Sequence, residues 1–70
     1  MQPADALQHA VDLFSTPTAL AKATGYSQHA VWHALNKRGQ VSARMAVAIE
    51  RATKGQVRRE QLRPDIFGAV

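Results

Sequence analysis

The chain has 70 residues, with nine Lys and Arg against five Asp and Glu, no Cys and a net charge of +4. That length fits one domain, residues 1–70, with a small core, and the missing thiols exclude disulfides and cysteine-based metal sites. No apolar run reaches the length of a membrane span and no basic-then-apolar leader opens the chain, so the expected place is the cytoplasm and the expected partner a polyanion.

Alanine is abundant and β-branched runs are absent, which favours helices throughout. Pro3 to Phe14 reads as the first, with Leu7, Ala10, Val11 and Phe14 on one face and Asp5, Gln8, His9 and Asp12 mostly on the other. Asp5 falls in the first turn, where the helix dipole favours a negative charge. His9 reads as a solvated surface residue. Ser15-Thr16-Pro17 then interrupts the chain.

Thr16 to Asn36 is the organising stretch. Thr16 can cap a helix over Pro17–Ala23, with Pro17 at the first helical position, where a missing N–H costs nothing. Gly25 can take the left-handed conformation that ends it, and Ser27 can cap a second helix running to Asn36. Leu20, Ala21, Tyr26, Val31 and Ala34 have the spacing that faces the two helices onto one another. This is the pattern of a helix-turn-helix, whose second helix enters a DNA major groove. With Val31, Ala34 and Leu35 inward, that helix turns Gln28, His29, Trp32, His33 and Asn36 outward. Gln and Asn can make paired hydrogen bonds to adenine, and His can bond a guanine edge or a phosphate. Trp32 has two readings, a partly buried flank residue or an apolar contact with a thymine methyl or sugar.

Lys37-Arg38-Gly39-Gln40 forms the following loop, with both cations placed to grip the DNA backbone. Ser42 looks like the cap of a fourth helix, Ala43 to about Lys54, with Gly55 as its stop and Met45, Ala48, Ile49 and Ala52 as its inner stripe. Gln56 to Leu62 reads as a short fifth helix or a turn ended by Pro64. Val57, Leu62, Ile66 and Phe67 return to the core or cover a partner.

Charge separates plain architecture from nucleic-acid binding. From Leu13 to Ile49 there is no Asp or Glu, while Lys22, Lys37, Arg38 and Arg44 lie inside that window. A carboxylate facing the phosphate backbone would be repelled, and an ordinary solvated surface would mix the signs. The expected phosphate contacts are Thr18 and Ser27 at the two helix starts, then Asn36, Lys37, Arg38 and Arg44. The expected base readers are Gln28, His29, Trp32 and His33. His29 and His33 share a helix face but no third ligand lies near them, so no metal is expected. No carboxylate pair, thiol, Ser–His–acid arrangement or phosphate-cradling glycine loop points to catalysis, a cofactor or a small-molecule substrate.

The run G-Y-S-Q-H-A-V-W-H-A-L-N-K-R-G-Q-V, followed by A-I-E-R-A-T-K-G and L-R-P-D-I-F, resembles the Cro/CI-type phage repressors, most of all the YdaS-like group of small prophage regulators. The resemblance covers Ala19 to Phe67. It implies an all-α, compact lambda-repressor-like bundle of about five short helices that binds double-stranded operator DNA as a homodimer, in the bacterial cytoplasm at the nucleoid. By position, Gln28 and His29 match the base-reading start of the recognition helix, His33 a later groove-facing site and Asn36 a backbone contact. Pro17 stands where such repressors often carry a phosphate-touching Gln, so that contact is backbone-only or absent. Trp32 replaces a usually small residue. Two other readings compete with the repressor: an antitoxin-type module that binds a toxin partner, and a basic protein that coats DNA without sequence preference.

Overall fold

The computed structural model describes residues 3–37 and 40–68. They form six helices and no strand: α1 (Pro3–Phe14), α2 (Pro17–Thr24), α3 (Gln28–Asn36), α4 (Ala43–Ala52), α5 (Arg59–Leu62) and α6 (Pro64–Phe67). None is long and apolar enough to cross a membrane.

The first three helix boundaries follow from local chemistry. Ser15 ends α1 by turning left-handed at φ 74°, its N–H bonding the Asp12 carbonyl at 3.2 Å. Thr16 follows in extended conformation, so its hydroxyl oxygen accepts the Ala19 N–H at 3.1 Å while Pro17 opens α2. Gly25 closes α2 at φ 79°, and a Cβ added there would meet nothing within 4 Å, so the demand on this position is backbone conformation and not space. Ser27 caps α3 through the Ala30 N–H at 3.1 Å, and Ser42 caps α4 through the Met45 N–H at 3.1 Å. Each cap satisfies one amide that its helix leaves without an internal partner.

One core joins these elements. Leu7, Leu20, Val31, Ile49, Val57 and Leu62 are fully buried, closed by Ala6, Ala10, Ala21, Ala34, Val41, Met45 and Ala46. α2 sits at its centre, packed on α1, α3 and α4, while α5 bridges α1 and α4. Small residues let α2 approach its neighbours closely, and Ala21 is buried in the core beside Val31 and Ala34 of α3. Phe14, Tyr26, Leu35 and Phe67 cover the core from its edge, so Leu35 is only half-buried where full burial was expected.

The C-terminal half departs from the sequence reading in three places. α4 stops at Ala52 and not near Lys54, because Thr53 leaves the helix and turns its side chain inward. Its hydroxyl lies 2.9 Å from the Ile49 carbonyl, to which it donates, and accepts the Val57 N–H at 3.1 Å. Gly55, at φ 82°, then completes the stop with its N–H on the Glu50 carbonyl at 2.9 Å. The inner stripe of α4 is Met45, Ala46 and Ile49, whereas Ala48 and Ala52 are half-buried along a surface groove. Finally, Pro64 does not merely end the fifth helix but opens a sixth, taking the first helical position of α6 after a break at Arg63. Val57 and Leu62 enter the core as expected, Phe67 covers its edge, and Ile66 stays 47% exposed.

Thr53→Val tests the first of these features. The change keeps the shape and removes the hydroxyl, leaving the buried Val57 N–H without a partner. A stability loss of about 1–3 kcal/mol is expected, read as a fall of several degrees or more in the thermal midpoint. A melt indistinguishable from the parent would show that the hydroxyl bridge contributes nothing.

Candidate nucleic-acid interface

The two helix starts offer donors of different kinds. In the first turn of α2, Pro17 has no N–H and the Ala19 N–H is taken by Thr16. That leaves the Thr18 N–H as the one backbone donor of the turn with no partner among the described residues. Thr18 itself is half-buried, and this N–H is a backbone donor for the phosphate contact expected there. At α3 the Ser27 oxygen accepts from Ala30 N, which leaves its hydroxyl hydrogen and the N–H groups of Gln28 and His29 directed out of the helix start. Unpaired N–H groups at the positive end of a helix suit a phosphate.

α3 then presents one continuous outer face. Gln28, His29, Trp32, His33 and Asn36 are all exposed, opposite the buried Val31 and Ala34. Trp32 is 49% exposed, so about half of its side chain is covered, as the partly buried flank reading has it, and half stays free for an apolar contact. Its exposed part adds apolar surface to a face otherwise made of Gln28, His29, His33 and Asn36. Near the end of α3, His33 lines a shallow cleft with Tyr26, Lys37, Gln40, Ser42 and Arg63. Lys37 stands at the exit of α3, its N–H held by the His33 and Ala34 carbonyls at 3.1 and 3.2 Å and its side chain exposed. Arg44 is exposed in the first turn of α4. Arg38, the remaining predicted phosphate contact, lies outside the described residues.

The electrostatics divide the molecule in two. Every ion pair among the described residues uses an acid from Glu50 onward: Arg59 with Glu50 at 2.9 Å, Arg58 with Glu60 at 3.0 Å, a looser Arg59–Glu60 approach at 4.0 Å, and Arg63 with Asp65 at 2.7 Å. Lys22, Lys37 and Arg44 take part in none of them. Arg58, Arg59 and Arg63 are paired within the chain, whereas Lys22, Lys37 and Arg44 of the acid-free window, like Arg51 and Lys54 beyond it, are exposed and outside these pairs. Arg59 also lies over the Phe67 ring, 5.5 Å from its centre, which ties α6 to the Glu50 end of α4. The Arg63 hydrogen bonds hold the Asp65 carboxyl below the usual carboxylate range. This pairing persists from neutral pH down through the ordinary carboxylate pKa and is lost only as pH falls through the depressed value.

A second surface feature lies on another side of α4. An open groove of about 670 Å³ runs along Ala23, Thr24, Val47, Ala48 and Phe67, with Arg44 and Arg51 at its sides. Among the described residues no cluster of three His, Cys, Asp or Glu is placed to hold a metal ion.

Sequence reasoning missed Arg63. Its guanidinium reaches the Val41 carbonyl oxygen at 2.7 Å across 22 positions of chain. Only the adjacent Arg63–Asp65 spacing was visible beforehand, and it carries no sign of so distant a partner.

Comparison with known proteins gives one family. The model of the family described as bacterial toxin YdaS matches residues 7–70. The match bears out the resemblance to the Cro/CI-type, YdaS-like group that the Gly25–Val41 run and its two C-terminal stretches carry. No curated protein matches significantly, and no solved structure does.

Proposed function

The chain belongs to the bacterial toxin YdaS family, and we propose that it is a sequence-specific DNA-binding transcriptional regulator that acts as a Cro-like repressor. In this reading α3 enters the major groove, with Gln28, His29, Trp32 and His33 facing base edges. The Thr18 N–H, Ser27, Asn36, Lys37, Arg38 and Arg44 hold the backbone on either side. The observation that carries it is the sorting of charge: no acid falls between Leu13 and Ile49, the stretch that holds α2, α3 and the unpaired Lys22, Lys37 and Arg44, and every paired arginine lies beyond it. A surface without a polyanionic partner has no reason to keep its carboxylates away from one helix-turn-helix. The protein performs no chemistry of its own in this account and works in the bacterial cytoplasm, at the nucleoid.

A domain this small reads few base pairs, and two copies on a two-fold site double the contact. The expected operator is a palindrome with half-sites about 34 Å apart, one turn of DNA. Selection of bound sequences from a random DNA pool, followed by footprinting, tests this. A palindromic motif protected on both halves is the expected result. A single asymmetric half-site contradicts the dimer, and recovery of no motif at all favours a protein that coats DNA indiscriminately.

The family's description as a bacterial toxin supports a second reading, in which the chain is toxic to its host and the groove beside Val47 receives a protein partner. The two are separated by expression in a bacterial host. If toxicity acts through DNA, replacing Gln28 and His33 together by Ala relieves growth arrest while Val47→Asp does not. The opposite pattern assigns toxicity to the groove.

A further inference from the structure

Arg63 sits at the joint between α5 and α6, and its guanidinium is divided between two partners. Nε and one terminal nitrogen bond the two carboxylate oxygens of Asp65 at 3.0 and 2.7 Å. The other terminal nitrogen donates to the Val41 carbonyl oxygen at 2.7 Å. A carboxylate gripped on two nitrogens fixes the plane of the guanidinium, so the third nitrogen is aimed and not free to wander. Its target is well chosen. Val41 has its side chain in the core and directly precedes Ser42, the cap of α4. At the other end of the same connection, Lys37 is tied to the last turn of α3 and its carbonyl accepts the Gln40 N–H at 3.2 Å.

We propose that Arg63, oriented by Asp65, is a positioning residue for DNA binding: it holds Val41 ahead of α4 and, through the Gln40 N–H on the Lys37 carbonyl, sets where Lys37 meets its phosphate, without touching DNA itself. The proposal rests on the DNA-binding reading above. The obvious rival is that Arg63 is one more phosphate contact, because it lines the same cleft as His33 and Lys37. Charge tells them apart. Paired with Asp65, Arg63 adds no net charge to the cleft, so a brace releases no counterion when DNA binds.

The discriminating variant is Asp65→Ala, at an acid whose side chain is 63% exposed and whose loss does not threaten the core. It raises the net charge by one. A brace that loses its orientation weakens DNA affinity about two- to tenfold in spite of the added charge, with the salt slope lowered by up to about one as Lys37 leaves its phosphate. A phosphate contact released from its carboxylate binds more tightly, with a slope steeper by about one. Arg63→Lys keeps the charge but loses the fork, so the brace predicts the same weakening and the rival predicts retention. Circular dichroism of both variants at the binding temperature confirms folding.

Amide hydrogen exchange supplies a readout that needs no DNA. In Asp65→Ala the Gln40 amide should exchange faster while Met45 and Ala46, held by the Ser42 cap, stay protected. Unchanged exchange at Gln40, or tighter DNA binding by Asp65→Ala, overturns the brace. A parent chain that binds no DNA overturns the functional reading instead, and exchange still decides whether Arg63 braces the connection.

Discussion

Leu20→Ala is expected to leave a large fraction of the chain unfolded at room temperature without denaturant. Leu20 is fully buried in α2, the helix that touches α1, α3 and α4, so no single neighbour can move to fill the space. Large-to-small changes of this kind cost about 2–5 kcal/mol, while a core of this size supplies only about 3–5 kcal/mol in all. Trp32→Ala is the matched control. It deletes a larger side chain, but one 49% exposed on the outer face of α3, and surface changes of that sort are usually worth within about 0.5 kcal/mol. Urea titrations followed by far-UV circular dichroism compare the two. A midpoint that collapses for Leu20→Ala and barely moves for Trp32→Ala is the expected pair. Equal losses would mean that Trp32 is packed in the core and that the outer face of α3 has been misassigned.

What could be read from the sequence was what local chemistry decides. Thr16, Ser27 and Ser42 each announce a helix start because a cap acts within three residues. Gly25 announces a turn because only its missing Cβ makes the left-handed backbone easy. The inward and outward faces of α3 followed from helical period alone. Features that depend on contacts across the chain stayed hidden. Thr53 looks like any polar residue near a helix end until Val57 is folded beneath it and needs an acceptor. Ala46 and Ala48 cannot be told apart by composition, and which is buried depends on where α2 crosses α4. Pro64 reads equally well as a helix stop and a helix start. Only the break at Arg63, whose side chain is drawn to Val41, selects the start. The candidate interface was therefore more legible than the C-terminal scaffold behind it, because its residues lie close together in sequence.

The second large effect concerns recognition, and it divides the interface into positioning and reading. Lys37→Ala and Arg44→Ala are expected to weaken binding to operator and random DNA alike, each lowering the salt slope by about one. Neither cation has an internal ion pair to lose among the described residues, so the folded state should be little changed. Gln28→Ala and His33→Ala should behave differently. Both side chains are exposed on α3 and neither supports the core, so their loss leaves general affinity nearly intact. Each should cost about 1–3 kcal/mol on the selected site and little on random DNA.

The ratio of operator to random-DNA affinity, measured for the parent, Gln28→Ala and His33→Ala at one salt concentration, tests the central claim most directly. This ratio is expected to fall about fivefold or more in each variant. A ratio unchanged in both would contradict it, because α3 would then not be the element that reads DNA.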